Sequence, residues 1–382
     1  MNKVLITGGA GFIGSNLVIK LLEIGYQVVV LDNLLKQIHG DTSESPLYLS
    51  IKGKVEFIKG SITNEDDWIQ ALKNVDIVVH LAALTGTGQS MYEINQYIET
   101  NILGTSKLLH LITEGRTSVK KIILASSRAI YGEGKYECID HGSVYPVERK
   151  DKDMLDWDFE PKCPFCSKEL RVLATDEESE IRPTSIYGIT KQVQEQMISI
   201  CGQSLNIPTI ALRFQNVYGP GQSLSNPYTG ILSIFSTQIF NKNNINIFED
   251  GKESRDFIYI DDAVNSIVCA LNIEDEKQHC FNVGSGEGVS VLEVAKSLIN
   301  LYKSNVHIDI SGDYRLGDIR HNYADLNKSI ALLKFNPKIS FSEGLSRFSK
   351  WVISQEVSND NYQKSIDEMN AFGLYKKNKV RK

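Results

Sequence analysis

The stretch Val4–Ser15, VLITGGAGFIGS, constrains this chain more than any other part of it. Val4–Thr7 is an apolar run too short for anything but a strand, and Phe12–Ile24 carries apolar residues at helical spacing. Between them lie Gly8, Gly11 and Gly14. Gly8 permits a tight turn, Gly11 lets the backbone approach a pyrophosphate, and Gly14 allows the helix to pack closely on the strand. The helix N-terminus at Phe12 and Ile13 offers free N–H groups to an anion. A glycine triplet alone is a weak indication. Here a second strand, Tyr26–Leu31, follows, and Asp32, with Asn33 beside it, ends that strand 18 residues after Gly14. A carboxylate at this place accepts hydrogen bonds from both ribose hydroxyls and repels a 2′-phosphate, which predicts NAD rather than NADP. The alternative is a plain turn residue at a strand end.

The rhythm continues. Val55–Lys59, Ile77–Leu81 and Lys120–Ser126 read as further strands, with helical stretches at Glu65–Lys73 and Asn95–Glu114. Near-continuous Val/Ile/Leu strands predict burial on both faces, hence an α/β fold with a doubly wound parallel sheet. The 382 residues leave room for two or three domains, and 42% hydrophobic content supplies their cores. A net charge of −6 gives no global basic field and argues against a nucleic-acid partner, but not against a phosphorylated ligand. No apolar run approaches the length of a membrane span, and Met1–Ser15 has no signal-peptide pattern. A cytoplasmic setting is expected, in which six cysteines would not form a disulfide framework. Three segments break the rhythm. Lys36–Lys54 reads as a polar loop. Glu133–Pro183 is a long insert rich in Cys, Pro and aromatics. The tail after Glu356, ending in Lys376, Lys377, Lys379, Arg381 and Lys382, reads as a solvated end.

Two groupings carry chemistry. Tyr187 and Lys191 are four apart at the start of a helical stretch, so both project from one face. A phenol has a pKa near 10. A neighbouring ammonium and a positive nicotinamide would favour the phenolate and let Tyr187 take a proton from a substrate hydroxyl. Ser127, at the end of the preceding strand, would hold the same oxygen. The plain alternative is a surface Tyr–Lys pair. The second grouping lies in the insert, where Cys138-x-x-His141 is followed 21 residues later by Cys163-x-x-Cys166. Each pair has a spacing that lets both side chains grip one ion, and a structural Zn2+ with all four positions filled is expected. A redox pair at Cys163 and Cys166, an acid–base thiol at Cys138, and free buried thiols are the alternatives. Cys201, Cys269 and Cys280 lack such spacing and read as free thiols.

Taken in order, TGGAGFIGS, HLAA at His80–Ala83, NILGT at Asn101–Thr105, SSRAIYG at Ser126–Gly132, YGITK at Tyr187–Lys191, RFQNVYGPGQ at Arg213–Gln222 and RDFIYIDD at Arg255–Asp262 resemble the extended short-chain dehydrogenase/reductase family over nearly the whole chain. The resemblance implies a Rossmann-type NAD-binding domain over residues 1–216, with the insert at about 133–183. A smaller mixed α/β substrate domain would span 217–355, with 255–277 returning to the first domain, and 356–382 would be a tail. It implies a proton-handling triad of Ser127, Tyr187 and Lys191, and cofactor contacts from Ser61, Ile62, Leu81, Ala82, Ala83 and Asn101. The family often has Asp at the place of Ser61, so the adenine contact there is weakened. Thr85 and Gly86, in the loop Thr85–Glu93, would line the sugar pocket. Asn216, Arg255, Arg315 and Asp318 would contact the nucleotide diphosphate.

The family's 4,6-dehydratases carry Asp-Glu after the triad Ser or Thr, whereas this chain has Arg128 and Ala129. That argues for reversible oxidation of a carbinol, as in a 4-epimerase, rather than dehydration. The TGTGQSMYE loop and the Cys-containing insert resemble dTDP-L-rhamnose 4-epimerases, which make the 6-deoxy-L-talose nucleotide. A 4-epimerase for UDP-glucose or UDP-N-acetylglucosamine is the competing enzyme, and a non-catalytic dinucleotide-sensing regulator or scaffold the competing class. The resemblance also implies a homodimer, formed through Asn95–Glu114 and the helix from Tyr187.

Overall fold

The computed structural model describes residues 2–41, 45–228, 230–275, 277–356, 360 and 362–378. Its first part runs β1 (Lys3–Thr7), α1 (Phe12–Glu23), β2 (Gln27–Asp32), α2 (Pro46–Ile51), β3 (Glu56–Lys59), α3 (Glu65–Ala71), β4 (Ile77–His80), α4 (Gly104–Thr113), β5 (Lys121–Ser127), α5 (Ile186–Leu205) and β6 (Thr209–Phe214). Later in the chain come α6 (Ile260–Leu271) and β7 (Gln278–Val283). The seven strands form one parallel sheet in the order β7-β6-β5-β4-β1-β2-β3. The order reverses between β1 and β4, which opens a crevice beyond the strands' C-terminal ends.

Alternation within the strands separates the two cores. Val4 and Ile6 of β1, and Val28 and Val30 of β2, join α1 and α6 through Leu17, Leu21, Ala263 and Ile267. Leu5, Val29 and Leu31 face the other way, onto Trp68 of α3 and Leu108 of α4. Side chains one residue apart on a strand point to opposite faces, so a strand covered on both sides must be apolar throughout.

The remaining residues build a mixed α/β part. The strands Asn216–Tyr218, Ser254–Tyr259, Gly288–Ser290 and His321–Asn322 form one sheet, and Ile245–Ile247 pairs with Ile308–Ile310. The helices Ile231–Phe240, Val291–Tyr302 and Phe341–Ile353 pack on the α1 and α6 side through one continuous core. The strand Gln278–Val283, beyond the stretch expected to return to the first domain, is the edge of the large sheet.

Three sequence expectations need correction. Lys36–Lys54 is not a simple polar loop. It contains a turn of helix at Lys36–His39 and α2, which Pro46 opens at a first-turn position suited to its missing N–H. Tyr48 and Ile51 of α2 pack into the core that includes α1. Asn95–Glu114 is not uniformly α-helical: Ile94–Tyr97 leads into a widened π turn at Ile98–Leu103 before α4. The tail is docked rather than solvated. It forms a helix, Tyr362–Ala371, and a strand, Tyr375–Lys376, antiparallel to Tyr314–Arg315. Ile366, Met369 and Tyr375 are buried there with Tyr92 and Phe248 against them. The terminal lysines dominate the composition of this segment and obscure its apolar face; Lys379, Arg381 and Lys382 lie outside the described residues. Among the described residues, no helix is long and apolar enough to cross a membrane.

Candidate active site

A cleft of about 1380 Å³ lies at the C-terminal edge of the large sheet, between its loops and the mixed part. A pocket for one small ligand measures roughly 300–1,000 Å³, so this one has room for two. Gly8, Gly11, Phe12, Ile13 and Gly14 line one end. Gly8 has φ +68°, and a Cβ on Gly14 would sit 2.2 Å from the Gly8 carbonyl oxygen, so neither position tolerates a side chain without rearrangement. No side chain caps the first turn of α1. Asp32 is held by backbone donors: Ala10 N–H reaches Oδ2 at 3.0 Å and Leu34 N–H reaches Oδ1 at 2.8 Å. Asp32, Asn33, Ser61, Ile62, Leu81, Ala82 and Ala83 continue the wall. The turn with its uncapped helix fits a pyrophosphate, and the fixed carboxylate fits a ribose diol.

Asn101 is a correction. It is fully buried, and it is absent from the cleft wall. Its Oδ1 accepts from Leu84 N–H at 2.8 Å, and its Nδ2 donates to Leu84 O at 3.1 Å and to Thr190 Oγ1 at 3.0 Å. It stands in the π turn and ties down the loop after β4.

The middle of the cleft holds Ser127 at the end of β5, and Tyr187 and Lys191 in the opening turns of α5. Ser185 caps α5 by accepting from Gly188 N–H at 3.1 Å. The Tyr187 phenol faces the Ser127 side chain. Burial raises its pKa, while Ser127 and the charge of Arg128 oppose that rise. The Lys191 ammonium donates to Ala125 O at 2.9 Å, and burial lowers its pKa to about 7. The cation acting on the phenol is therefore Arg128. Burial, and then the charge of Arg255, push Arg128 itself down to about 9.

At the other end stand Thr85, Gly86, Asn216, Arg255, Arg315 and Asp318. Tyr97 fixes the loop after β4 by donating to Thr85 O at 3.0 Å. Ser90 of the same loop accepts from Tyr187 N–H at 3.0 Å, which joins the sugar loop to the start of α5. The Arg255 guanidinium donates to Ser254 O, Ile319 O and Arg320 O at 2.7–2.9 Å. Arg315 and Asp318 pair with each other at 2.7 Å, and the Arg315 guanidinium lies 5.2 Å from the centre of the Phe248 ring.

Sequence reasoning missed several residues of the wall. Arg128 was visible in SSRAIYG but used only to exclude an acid pair. Tyr362, Ser365 and Met369 come from the tail and close the sugar end. The Tyr92 hydroxyl donates to Glu368 at 2.9 Å, and Tyr228 bonds the same carboxylate, so the tail helix is tied to both rims. No local pattern announces such long-range contacts. Away from this cleft, the insert brings the ligand atoms of Cys138, His141, Cys163 and Cys166 within 4.8 Å of one another.

Comparison with known proteins places this geometry. The model of the "NAD dependent epimerase/dehydratase family" matches residues 4–149 and 168–284. A dTDP-L-rhamnose 4-epimerase of Burkholderia thailandensis is 38% identical over 363 residues, covering 94% of this chain and 97% of that protein. The crystal structure of a Thermotoga maritima UDP-glucose 4-epimerase with UDP-glucose is 30% identical, with a TM-score of 0.73 over 91% of this chain and 98% of that one. A Bacillus cereus UDP-glucuronic acid 4-epimerase in complex with UDP-glucuronic acid and NAD is 26% identical, with a TM-score of 0.73 over 92% and 99%.

Proposed function

The chain belongs to the NAD dependent epimerase/dehydratase family, and from that premise we propose that it inverts C4 of a nucleotide-diphosphate sugar, with dTDP-L-rhamnose and dTDP-6-deoxy-L-talose as its substrate pair. The observation that carries the reading is the position of Tyr187. Its phenol faces Ser127 in a cleft lined also by the glycine turn and by Arg255 and Arg315, with room for two ligands. When bound, NAD would be held by the glycine turn and Asp32 and would supply reversible hydride exchange at C4.

The chain's own residues handle the proton and the geometry. Tyr187 takes the proton of the 4-hydroxyl and gives it back, and Ser127 holds the same oxygen. Arg128 offsets the cost of a buried phenolate. Asp32 receives the ribose of NAD. Arg255 and Arg315 suit the diphosphate by their forked donors, and Asp318 suits a ribose hydroxyl. Thr85 and Gly86 border the hexose. Arg128 and Ala129 stand where a dehydratase would need its acid pair, which favours epimerisation. In this reading residues 1–216, with α6 and β7, hold NAD, and the rest of 217–355 holds the nucleotide sugar. No step passes through the Cys/His cluster of the insert.

The choice of sugar is supported by the 38% identical relative, whose length this chain matches almost completely. A panel of dTDP- and UDP-sugars, followed by NMR for the 4-epimer, tests it. Interconversion of dTDP-L-rhamnose and dTDP-6-deoxy-L-talose without net consumption of NAD is the expected result. Turnover confined to UDP-glucose or UDP-N-acetylglucosamine would replace the substrate, and no turnover of any sugar would favour a dinucleotide-sensing protein.

The reading extends to a homodimer. Ile94, Ile98 and Leu103 are exposed on the helical stretch before α4, and Ile189 and Ile200 on α5. Large aliphatics exposed on two neighbouring helices suit a second copy of the chain. Light scattering at micromolar concentration should give twice the chain mass. A monomer would rule the dimer out.

A further inference from the structure

We propose that the insert binds one Zn2+ through Cys138 Sγ, His141 Nδ1, Cys163 Sγ and Cys166 Sγ, as a structural site independent of the epimerase chemistry. The geometry is that of a closed tetrahedral site. With Zn–S about 2.3 Å and Zn–N about 2.0 Å, tetrahedral angles put two sulfurs about 3.8 Å apart and a sulfur and a nitrogen about 3.5 Å apart. Cys138 Sγ lies 3.6 Å from Cys166 Sγ and 3.5 Å from His141 Nδ1, and Cys163 Sγ lies 3.7 Å from His141 Nδ1. A disulfide would require about 2.05 Å between sulfurs.

The backbone turns tightly on both sides of the cluster. Cys138 ends the strand Tyr136–Cys138, and the chain turns at Gly142, φ +66°, to return as Gly142–Val144. On the other side Cys163 N–H donates to Lys168 O, and Ser167 N–H donates to Cys163 O, both at 2.9 Å. Ser167, at φ +58°, closes that turn. The Phe165 ring covers His141, with centroids 5.2 Å apart.

The corner of the insert around the cluster gains from such a site. Its local core is Tyr136, Cys138, Val144 and Cys163, with Cys166, Leu170 and Val172 at the margin, while Met154 and Phe159 of the insert pack elsewhere, with Tyr314. Two of those four core side chains are thiols, whereas zinc binding is worth roughly 10–16 kcal/mol in small finger peptides. Cys163 and Cys166 fall in 150–167, the stretch that the family match leaves out, while Cys138 and His141 lie within the matched residues. Three thiolates and one imidazole select Zn2+ over harder cations. On binding, three Zn–S bonds and one Zn–N bond form, three thiol protons leave to solvent, and nothing is oxidised. The filled site carries one net negative charge and has no open position for catalysis.

The test is elemental analysis of the full chain purified without chelator, joined to zinc release by an organomercurial thiol reagent read with a chromophoric chelator. About one zinc per chain, released as the mercurial consumes thiols, is the expected result. Growth with Co2+ should give the visible ligand-field bands of tetrahedral cobalt with thiolate charge transfer. Cys163→Ser/Cys166→Ser should lose the metal and become protease-sensitive within 133–183. Metal-free protein with a protease-resistant insert, a Cys138–Cys166 disulfide found by mass spectrometry, or full zinc content in the double variant would overturn the proposal. The release and cobalt measurements need no variant and hold even if the double variant fails to fold.

Discussion

Tyr187→Phe is expected to lower kcat by about 10²–10⁴, the range for removing a general acid–base group, while NAD stays bound. That range corresponds to roughly 3–5.5 kcal/mol of lost transition-state stabilisation. The substitution deletes one oxygen. The ring keeps its place because Tyr187 is anchored through its backbone: its N–H donates to Ser90, and Ser185 caps the turn in which it sits. Nucleotide-sugar affinity should therefore change little, and the loss should appear in kcat rather than KM. Steady-state kinetics on the best nucleotide sugar, with bound NAD quantified separately, makes the measurement. Turnover within threefold of the parent chain would remove Tyr187 from proton transfer.

The electrostatics add a condition to this result. Burial raises the phenol, and Lys191, lowered to about 7 by the same burial, spends its ammonium on Ala125 O. The tyrosine is served instead by Ser127 and Arg128. The i,i+4 spacing correctly puts Tyr187 and Lys191 on one wall of the cleft, but spacing alone does not say which cation faces the phenol. Arg128 reaches the site from the end of β5, through a fold contact that no periodicity encodes.

The same division runs through the molecule. The parallel sheet was legible because strands buried on both faces must be apolar, and Val4–Ile6 of β1, Val28–Leu31 of β2 and Ile77–Val79 of β4 satisfy that residue by residue. The glycine turn was legible because few side-chain-bearing residues can do what Gly8 and Gly14 do. Asn101 was misread because a buried amide looks the same in a motif whether it meets a ligand or the Leu84 backbone. The tail was misread because its partners, Tyr92, Phe248 and Tyr228, lie more than a hundred residues away in sequence. The insert's ligand pairs were legible as two spacings; their convergence on one point depends on the strand pairing of Tyr136–Cys138 with Gly142–Val144.

Arg320→Met is expected to cost about 3–5 kcal/mol of folding stability, the range for breaking a buried ion pair from one side. Arg320 is completely buried. Its Nε and NH2 reach Glu160 at 2.9 and 2.6 Å, and its NH1 reaches Glu249 at 2.8 Å and Asp250 at 2.7 Å. Arg149 is the other buried cation here, paired with Glu249 at 2.8 Å and Glu133 at 3.3 Å. The network already carries more carboxylate than guanidinium. Burial, and then the charge of Glu249, raise Glu253 to about 8. Methionine fills the volume of the arginine stem but leaves Glu249 with Arg149 alone, Glu160 with His321 alone, and Asp250 without its guanidinium. The deficit should depend on pH in a definite direction. Against burial, and together with His321, Arg320 holds Glu160 down to about 2, and against burial it lowers Asp250. The stability from a lowered carboxylate is present above its unfolded pKa of about 4 and is lost as pH falls through the folded value, so the variant should lie closest to the parent at about pH 3 and furthest from it above about pH 5. Because the Arg320 backbone carbonyl accepts from Arg255 at 2.9 Å, the folded fraction should also bind nucleotide sugar more weakly. Urea melts of both proteins across that range make the comparison. A difference below about 1 kcal/mol, or one that grows toward acid, would show that the carboxylates are not held by Arg320.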